Sequence, residues 1–360
     1  MKNIHRRSFL KSGALSLSGL MLPGTVLTFC KEGSLIKDFK KRFKDKTLGC
    51  FMGAAIGDSM GGPVECQHYL RIRKYAGNFN DLLPFGKPIS FFDPPGNGWA
   101  QRRDPGTITD DTYIRIDLLN FFLHVNPPYS AEKLVEYLLE NSDFSGWWEP
   151  PKNQLNRIKN GEFPAKNARQ FMDILSAVVA GQSAAFKNDA SIDSVVKTVL
   201  DNSGDKTRKL FERAINIGLD SQSADKLYDN LYAHASVANS THTGEYNRPE
   251  GPLPPVEDIK YSENECSSIA FAEQQPWALA YLVFGNGDPE KTLLTAVKGG
   301  RDADSIATNT ASWLGALYGL SVWPEKWISA VLRSNLVDFD LMKLGDKLAE
   351  KALRQGFVQL

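Results

Sequence analysis

Residues 48–65 read LGCFMGAAIGDSMGGPVE, and this stretch decides the fold. Gly49, Gly53, Gly57 and Gly61 recur at every fourth position. On an α-helix that spacing stacks them along one face, where the missing side chains let a second backbone come close. Helix packing alone explains the glycines. It does not explain Asp58 and Glu65, which bracket the end of the stripe. A second stripe of small residues, Ala307, Ala311, Gly315 and Gly319, follows the run Gly300-Arg301-Asp302-Ala303-Asp304-Ser305 near the other end of the chain.

Outward from residue 48, the preceding segment 35–47 (LIKDFKKRFKDKT) is a basic amphipathic lead-in. Residues 76–108 are rich in Gly, Pro, Asn and Asp and almost aperiodic, the mark of a long functional loop. That loop runs into Thr109-Asp110-Asp111-Thr112 and then into YIRIDLLNFFLHV. Apolar residues at Ile114, Ile116, Leu118, Leu119, Phe122 and Leu123 predict a buried helix there, with Thr109 or Asp110 at its N-cap. Helices are also predicted over 131–141, 166–187, 191–202, 206–218, 223–239, 267–284 and 288–298, with a proline-bearing irregular stretch at 240–265. Alternating strands are scarce, and no internal repeat or linker divides the chain. The expectation is a single all-α domain over residues 31–360.

Residues 1–30 read as an address. Arg6-Arg7-Ser8-Phe9-Leu10-Lys11 precedes a weakly apolar run, the order of a twin-arginine signal peptide. Gly13, Gly19, Pro23 and Gly24 make that run a poor permanent span, so no stable transmembrane segment is expected in the mature chain. The expected destination is the periplasm or cell envelope, with Cys30 a candidate lipid anchor. Forty-two basic residues balance forty-two acidic ones, which removes the electrostatic reason to expect nucleic acid or an anionic membrane as partner. The four cysteines lack metal-finger spacing. They read as buried thiols, with a Cys50–Cys66 or Cys66–Cys266 bridge as the alternative after export.

Three places set acids beside hydroxyls at the start of a helix: Asp58 to Glu65, Thr109-Asp110-Asp111, and Asp302-Ala303-Asp304-Ser305. Capping would account for any one of them. Adjacent acids carry more charge than a cap needs, and like charges packed together are costly without a cation between them. An oxygen-only donor set suits magnesium, manganese or calcium. Of the five histidines only His68 lies near a motif, which argues against zinc.

Gly53-x-x-x-Gly57-Asp58-x-x-Gly61-x-x-x-Glu65, Thr109 to Thr112, and Gly300 to Ser305 resemble, in order and spacing, the three signature segments of the ADP-ribosylglycohydrolase family, typified by the dinitrogenase reductase-activating glycohydrolase. Glu273, Pro276 and Ala278 also resemble the family pattern before the third segment. The resemblance implies a single multi-helical orthogonal domain with two Mg2+ or Mn2+ ions in a cleft. It implies Thr109, Asp110, Asp111, Asp302, Asp304 and Ser305 as metal ligands, Asp304 bridging. The family usually has Thr where this chain has Ser305, which keeps the hydroxyl. The family's Gly-rich, Arg-containing segment between the second and third motifs is not found, and Thr241-His242 is the nearest counterpart.

The resemblance further implies hydrolysis of an ADP-ribosyl N- or O-glycosidic bond, on a small-molecule or protein-linked ADP-ribose. Glu65 is the expected proton-transfer residue and Asp111 the second. Trp99, Trp147 and Trp148 are available to stack on adenine, although packing roles are commoner for such residues. Two other readings stand beside this one: a catalytically silent, crystallin-like or nucleotide-binding relative, and an exported hydrolase of another nucleoside or glycoside.

Overall fold

The computed structural model describes residues 26–86, 104–144, 152–161, 168–235, 271–335 and 340–356. The twin-arginine segment, the Cys30 and Cys266 side chains, Trp99, Trp147, Trp148, Thr241-His242 and the 240–265 stretch lie outside the described residues. Residues up to Lys41 make one unit, of which the structure describes the opening part of α1 (Val26–Gly61). Arg42–Gln359 hold everything that follows.

The glycine stripe occupies the C-terminal part of α1. A 3-10 turn (Gly62–Val64) and a two-residue strand β1 (Gln67–His68) lead to α2 (Tyr69–Ala76). Then come α3 (Asp110–His124), α4 (Ala131–Asn141), α5 (Lys152–Lys159), α6 (Ala168–Ala185), α7 (Ile192–Asp201), α8 (Asp205–Asp220) and α9 (Ala224–His234). The chain continues through α10 (Phe271–Gly285), α11 (Pro289–Gly299), β2 (Gly300–Arg301), α12 (Ala303–Tyr318), α13 (Glu325–Asn335) and α14 (Leu341–Arg354). The fold is all-α, as expected. Starts are set locally: the side chains of Ser130, Ser191, Ser223, Asp288 and Asp340 each accept a backbone N–H from the first turn of the helix they precede, which satisfies groups the helix cannot. α2, α5, α13 and α14 were not foreseen from the sequence, nor was the pairing of β1 with β2.

The two small-residue stripes meet each other. A Cβ on Gly61 would lie 2.5 Å from the Ala303 carbonyl, and one on Gly53 would lie 2.7 Å from the Ala311 carbonyl oxygen. Gly57 likewise abuts Ala307, and Gly49 abuts Gly315 and Gly319. Rising numbers on α1 therefore pair with falling numbers on α12, so the helices run antiparallel with backbones in contact. The seam is held by more than dispersion. Thr308 Oγ1 donates to the Ala54 carbonyl at 3.3 Å, and Trp323 Nε1 donates to the Gly49 carbonyl at 3.0 Å.

Around this pair α10 and α11 pack on α12, α8 packs on α10, and α7 packs on α6. α12 is the buried centre, with Trp313, Leu314 and Ala316 inside. Its interior hydroxyls bond back along the helix, Thr310 to the Ile306 carbonyl at 2.8 Å and Ser312 to that of Thr308 at 2.6 Å, so no donor is stranded. Among the described residues no helix is long and apolar enough to cross a membrane. Cys50 is a free thiol, which excludes the Cys50–Cys66 bridge. Cys66 is disulfide-bonded, which corrects the reading of it as a thiol; its partner lies outside the described residues.

Gly57→Ala tests the seam. The substitution gains about 1 kcal/mol of helix propensity. It also drives a methyl group to within 2.4 Å of the Ala307 carbonyl oxygen, main chain that cannot rotate away, and overpacking of that kind costs about 1–3 kcal/mol or more. A lower urea midpoint is expected; a midpoint at or above the parent's would show that the backbones are not in contact.

Candidate metal centre

The antiparallel seam sets the end of α1 beside the start of α12, and α3 begins against both. Thr109 is the N-cap of α3, and its Oγ1 accepts from Asp111 N at 3.4 Å. Further donors of that helix start go to Asp58, which is fully buried. Asp58 accepts from Thr109 N at 3.0 and 3.1 Å, from Thr112 N at 3.1 Å, and from both threonine hydroxyls. Capping of α3 is thus done by Thr109 and by an acid from α1. Asp111 is not needed for it, and Asp110 meets only its own N–H.

The start of α12 is fixed by a strand bridge. Gln67 pairs with Arg301 and His68 with Gly300, and Cys66 N donates to the Arg301 carbonyl at 2.7 Å. Cys66 and Arg301 both adopt positive φ, 59° and 64°, a conformation uncommon outside glycine. Buried Arg301 meets buried Glu273 through Nε at 2.7 Å and Nη2 at 3.3 Å, a forked pair. Asp302 is the N-cap but makes no capping bond; one of its oxygens accepts from Gln274 Nε2. Asp304 Oδ1 accepts from Ser305 N at 2.9 Å, and Asp304 Oδ2 lies 3.1 Å from Thr109 Oγ1. That contact joins segments 195 positions apart.

Glu65, Asp302 and Asp304 each present a carboxylate oxygen within 4.8 Å of the others, close enough to share one ion. Asp111 receives a hydrogen bond from Ser305 and feels Asp58 and Asp302, and Asp110 feels Asp111, Asp58 and Asp302. All seven residues singled out from the sequence, Glu65, Thr109, Asp110, Asp111, Asp302, Asp304 and Ser305, fall in this one cluster. His68 does not join it. Its Nδ1 accepts from Leu70 N at 3.2 Å and its ring lies against Tyr232. The sequence reading did not find the anchoring of Asp302 by Gln274, the Arg301–Glu273 pair, or the use of Asp58 as an acceptor; only the quoted motif positions of Asp58, Glu273 and Arg301 hinted at them.

The cluster is under electrostatic stress. Burial, reinforced by the neighbouring carboxylates, pushes Glu65, Asp110 and Asp304 well above the ordinary carboxylate range. Asp111 is pushed by burial, then by Asp58 and Asp302, up to about 7, with Arg115 and Ser305 pulling the other way. Glu65 Oε2 and Asp111 Oδ2 are buried with no hydrogen-bond partner. Buried polar atoms are nearly always partnered, so two orphaned carboxylate oxygens aimed into an acidic cluster fit cations. The donors are carboxylates and hydroxyls only, which fits hard divalent ions.

Residues 40–356 match a family described as ADP-ribosylglycohydrolase. An uncharacterized protein of Archaeoglobus fulgidus is 24% identical over 344 residues, covering 86% of this chain and 98% of that protein. The uncharacterized protein YegU of Escherichia coli K12 is 21% identical over 339 residues, covering 82% of this chain and 94% of that protein. A solved ADP-ribosylglycohydrolase-related protein complex matches at 19% identity with a TM-score of 0.38, covering 87% of this chain and 99% of that one.

The raised carboxyls make a prediction about pH. A carboxyl of this kind keeps its proton in the folded metal-free chain and gives it up near pH 4 when unfolded. The folded state then binds more protons, and stability falls as pH rises through the interval between the two values. For Asp111 that interval runs from about pH 4 to about 7. In chelator, Asp304→Asn is expected to flatten the fall in urea midpoint between about pH 5 and 7.5, because it removes one of the acids that bears this cost. A parent and variant with the same slope would mean that the cluster is not stressed.

Proposed function

Because the chain belongs to the ADP-ribosylglycohydrolase family, we propose that it is a hydrolase that cleaves an ADP-ribosyl N- or O-glycosidic bond, on a small molecule or on a protein side chain. The observation that carries this reading is the pair of unpartnered oxygens, Glu65 Oε2 and Asp111 Oδ2, inside a buried group of acids. Thr109, Asp110, Asp111, Asp302, Asp304 and Ser305 are the residues that would hold two Mg2+ or Mn2+ ions. When bound, such ions supply positive charge that orients a ribose and a water and stabilises developing negative charge.

The chain's own residues supply the rest. Proton exchange at the glycosidic oxygen or nitrogen falls to Glu65, whose burial favours the acid form; a positioned acid of this type contributes about 10²–10⁴-fold. Asp111, which receives a hydrogen bond from Ser305, is the second acid–base candidate. Carboxylates around the anomeric carbon also favour the positive charge of an oxocarbenium-like transition state. Gln274 and the Arg301–Glu273 pair hold Asp302 and the turn before it in register. The surviving acids in every motif speak against a silent, crystallin-like role.

The same reading covers destination. Disulfides persist in oxidising compartments, so the bonded state of Cys66 supports export through the twin-arginine segment to the periplasm or envelope, with Cys30 the point where a lipid would attach. Replacing Arg6 and Arg7 by Lys is expected to leave the protein in the cytoplasm; unchanged export would remove this part.

Activity is tested by incubating the purified protein with ADP-ribosyl-arginine, ADP-ribosyl-serine and O-acetyl-ADP-ribose, with Mg2+ or Mn2+ and with chelator. Free ADP-ribose is expected from at least one, lost with chelator, and Glu65→Gln should lower kcat by about 10²–10⁴-fold. Release from none of the three would refute the proposed reaction.

A further inference from the structure

A hydroxyl carries one proton, and Thr109 Oγ1 faces two carboxylates. Its shorter contact is with Asp58 Oδ1, and its longer one, 3.1 Å, is with Asp304 Oδ2. The hydrogen bonds of Asp58 come from Thr109 N, Thr112 N and the two threonine hydroxyls. Asp58 has no exposed surface and no cation among its hydrogen-bond partners. The shorter of the two contacts places the Thr109 proton inward, on the Asp58 side. What Thr109 Oγ1 turns toward Asp304 Oδ2, 3.1 Å away, is then a lone pair, placed to meet either the proton that Asp304 keeps in the metal-free chain or a cation that takes its place.

We infer that Asp58 is a positioning residue that sets the direction of the Thr109 hydroxyl, holding its proton away from the acidic cluster so that its lone pair is offered to a divalent ion. Capping explains the two backbone contacts of Asp58 and leaves the two hydroxyl contacts unexplained. An orienting role explains all four. It also accounts for a buried carboxylate where a neutral amide would cap α3 as well without burying charge. The inference rests on the metal reading above, but it concerns a residue outside the ligand set.

Asp58→Asn separates the two roles. The amide oxygen still caps α3, while the amide nitrogen donates to Thr109 Oγ1 and turns the hydroxyl proton toward Asp304. The variant's metal-free melting temperature should equal or exceed the parent's, because a buried charge is gone. Its affinity for Mn2+, measured by calorimetric titration, should fall about tenfold or more, the worth of one hydrogen bond to a charged group. A folded Asp58→Asn protein that binds Mn2+ within twofold of the parent overturns the inference and leaves the metal reading standing. A parent that binds no Mn2+ overturns both. Should Asp58→Asn not fold, Thr109→Val carries the test: a tenfold loss of Mn2+ affinity supports the lone-pair role, and parent-like affinity overturns it.

Discussion

Backbone contact between α1 and α12 is the constraint on which the rest depends. Four glycines on one helix meet Ala303, Ala307, Ala311, Gly315 and Gly319 on the other, close enough that a single added carbon collides with a carbonyl. Side chains with many rotamers would blur such an approach; residues with none fix it. The seam turns a separation of 195 positions in sequence into a 3.1 Å contact between Thr109 and Asp304. Local chemistry finishes the alignment, through the strand bridge at Arg301 and the acceptor role of Asp58.

The scaffold has to be firm because the site it holds is unfavourable by itself. Glu65, Asp58, Asp110, Asp111 and Asp304 all sit where burial raises their proton affinity. Arg301 is the obvious counter-charge, yet it is engaged by Glu273, and Arg115 eases Asp111. A natural domain keeps a margin of only about 5–15 kcal/mol, so such a group persists only where well-packed structure offsets its cost. Here the offset comes from a nearly fully buried α12, which carries Trp313, together with the buried indoles of Trp323 and Trp327.

Much of this was legible in the residues. The glycine period of four and the answering Ala/Gly stripe each announced a close-packed helix, although nothing local said that they face one another. α4 begins and ends where its apolar pattern predicts. The acids of the site were legible because they stand in pairs, more charge than capping requires. α2 and α5 were not: each has only eight residues, α5 rich in cations and amides and α2 with three cations set among its apolar positions, too short for a helical period to stand out. β1 and β2 have two residues each, and their pairing depends on tertiary contact alone. Asp58 looked like one acid within a helix; its partners lie 51 and 54 positions away, beyond the reach of any spacing rule. Gln274 and Asp302 are joined in the same non-local way.

The α1–α12 seam also sorts the chain by its tolerance of evolutionary drift. At Gly49, Gly53, Gly57 and Gly61 almost any replacement thrusts atoms into a facing main chain, so variation there is closed off on steric grounds before chemistry is considered. Exposed positions such as Met172, Val179 and Leu219 bear no such restriction. Side chains at the periphery are therefore free to change while the seam that gathers the three acidic segments keeps its geometry.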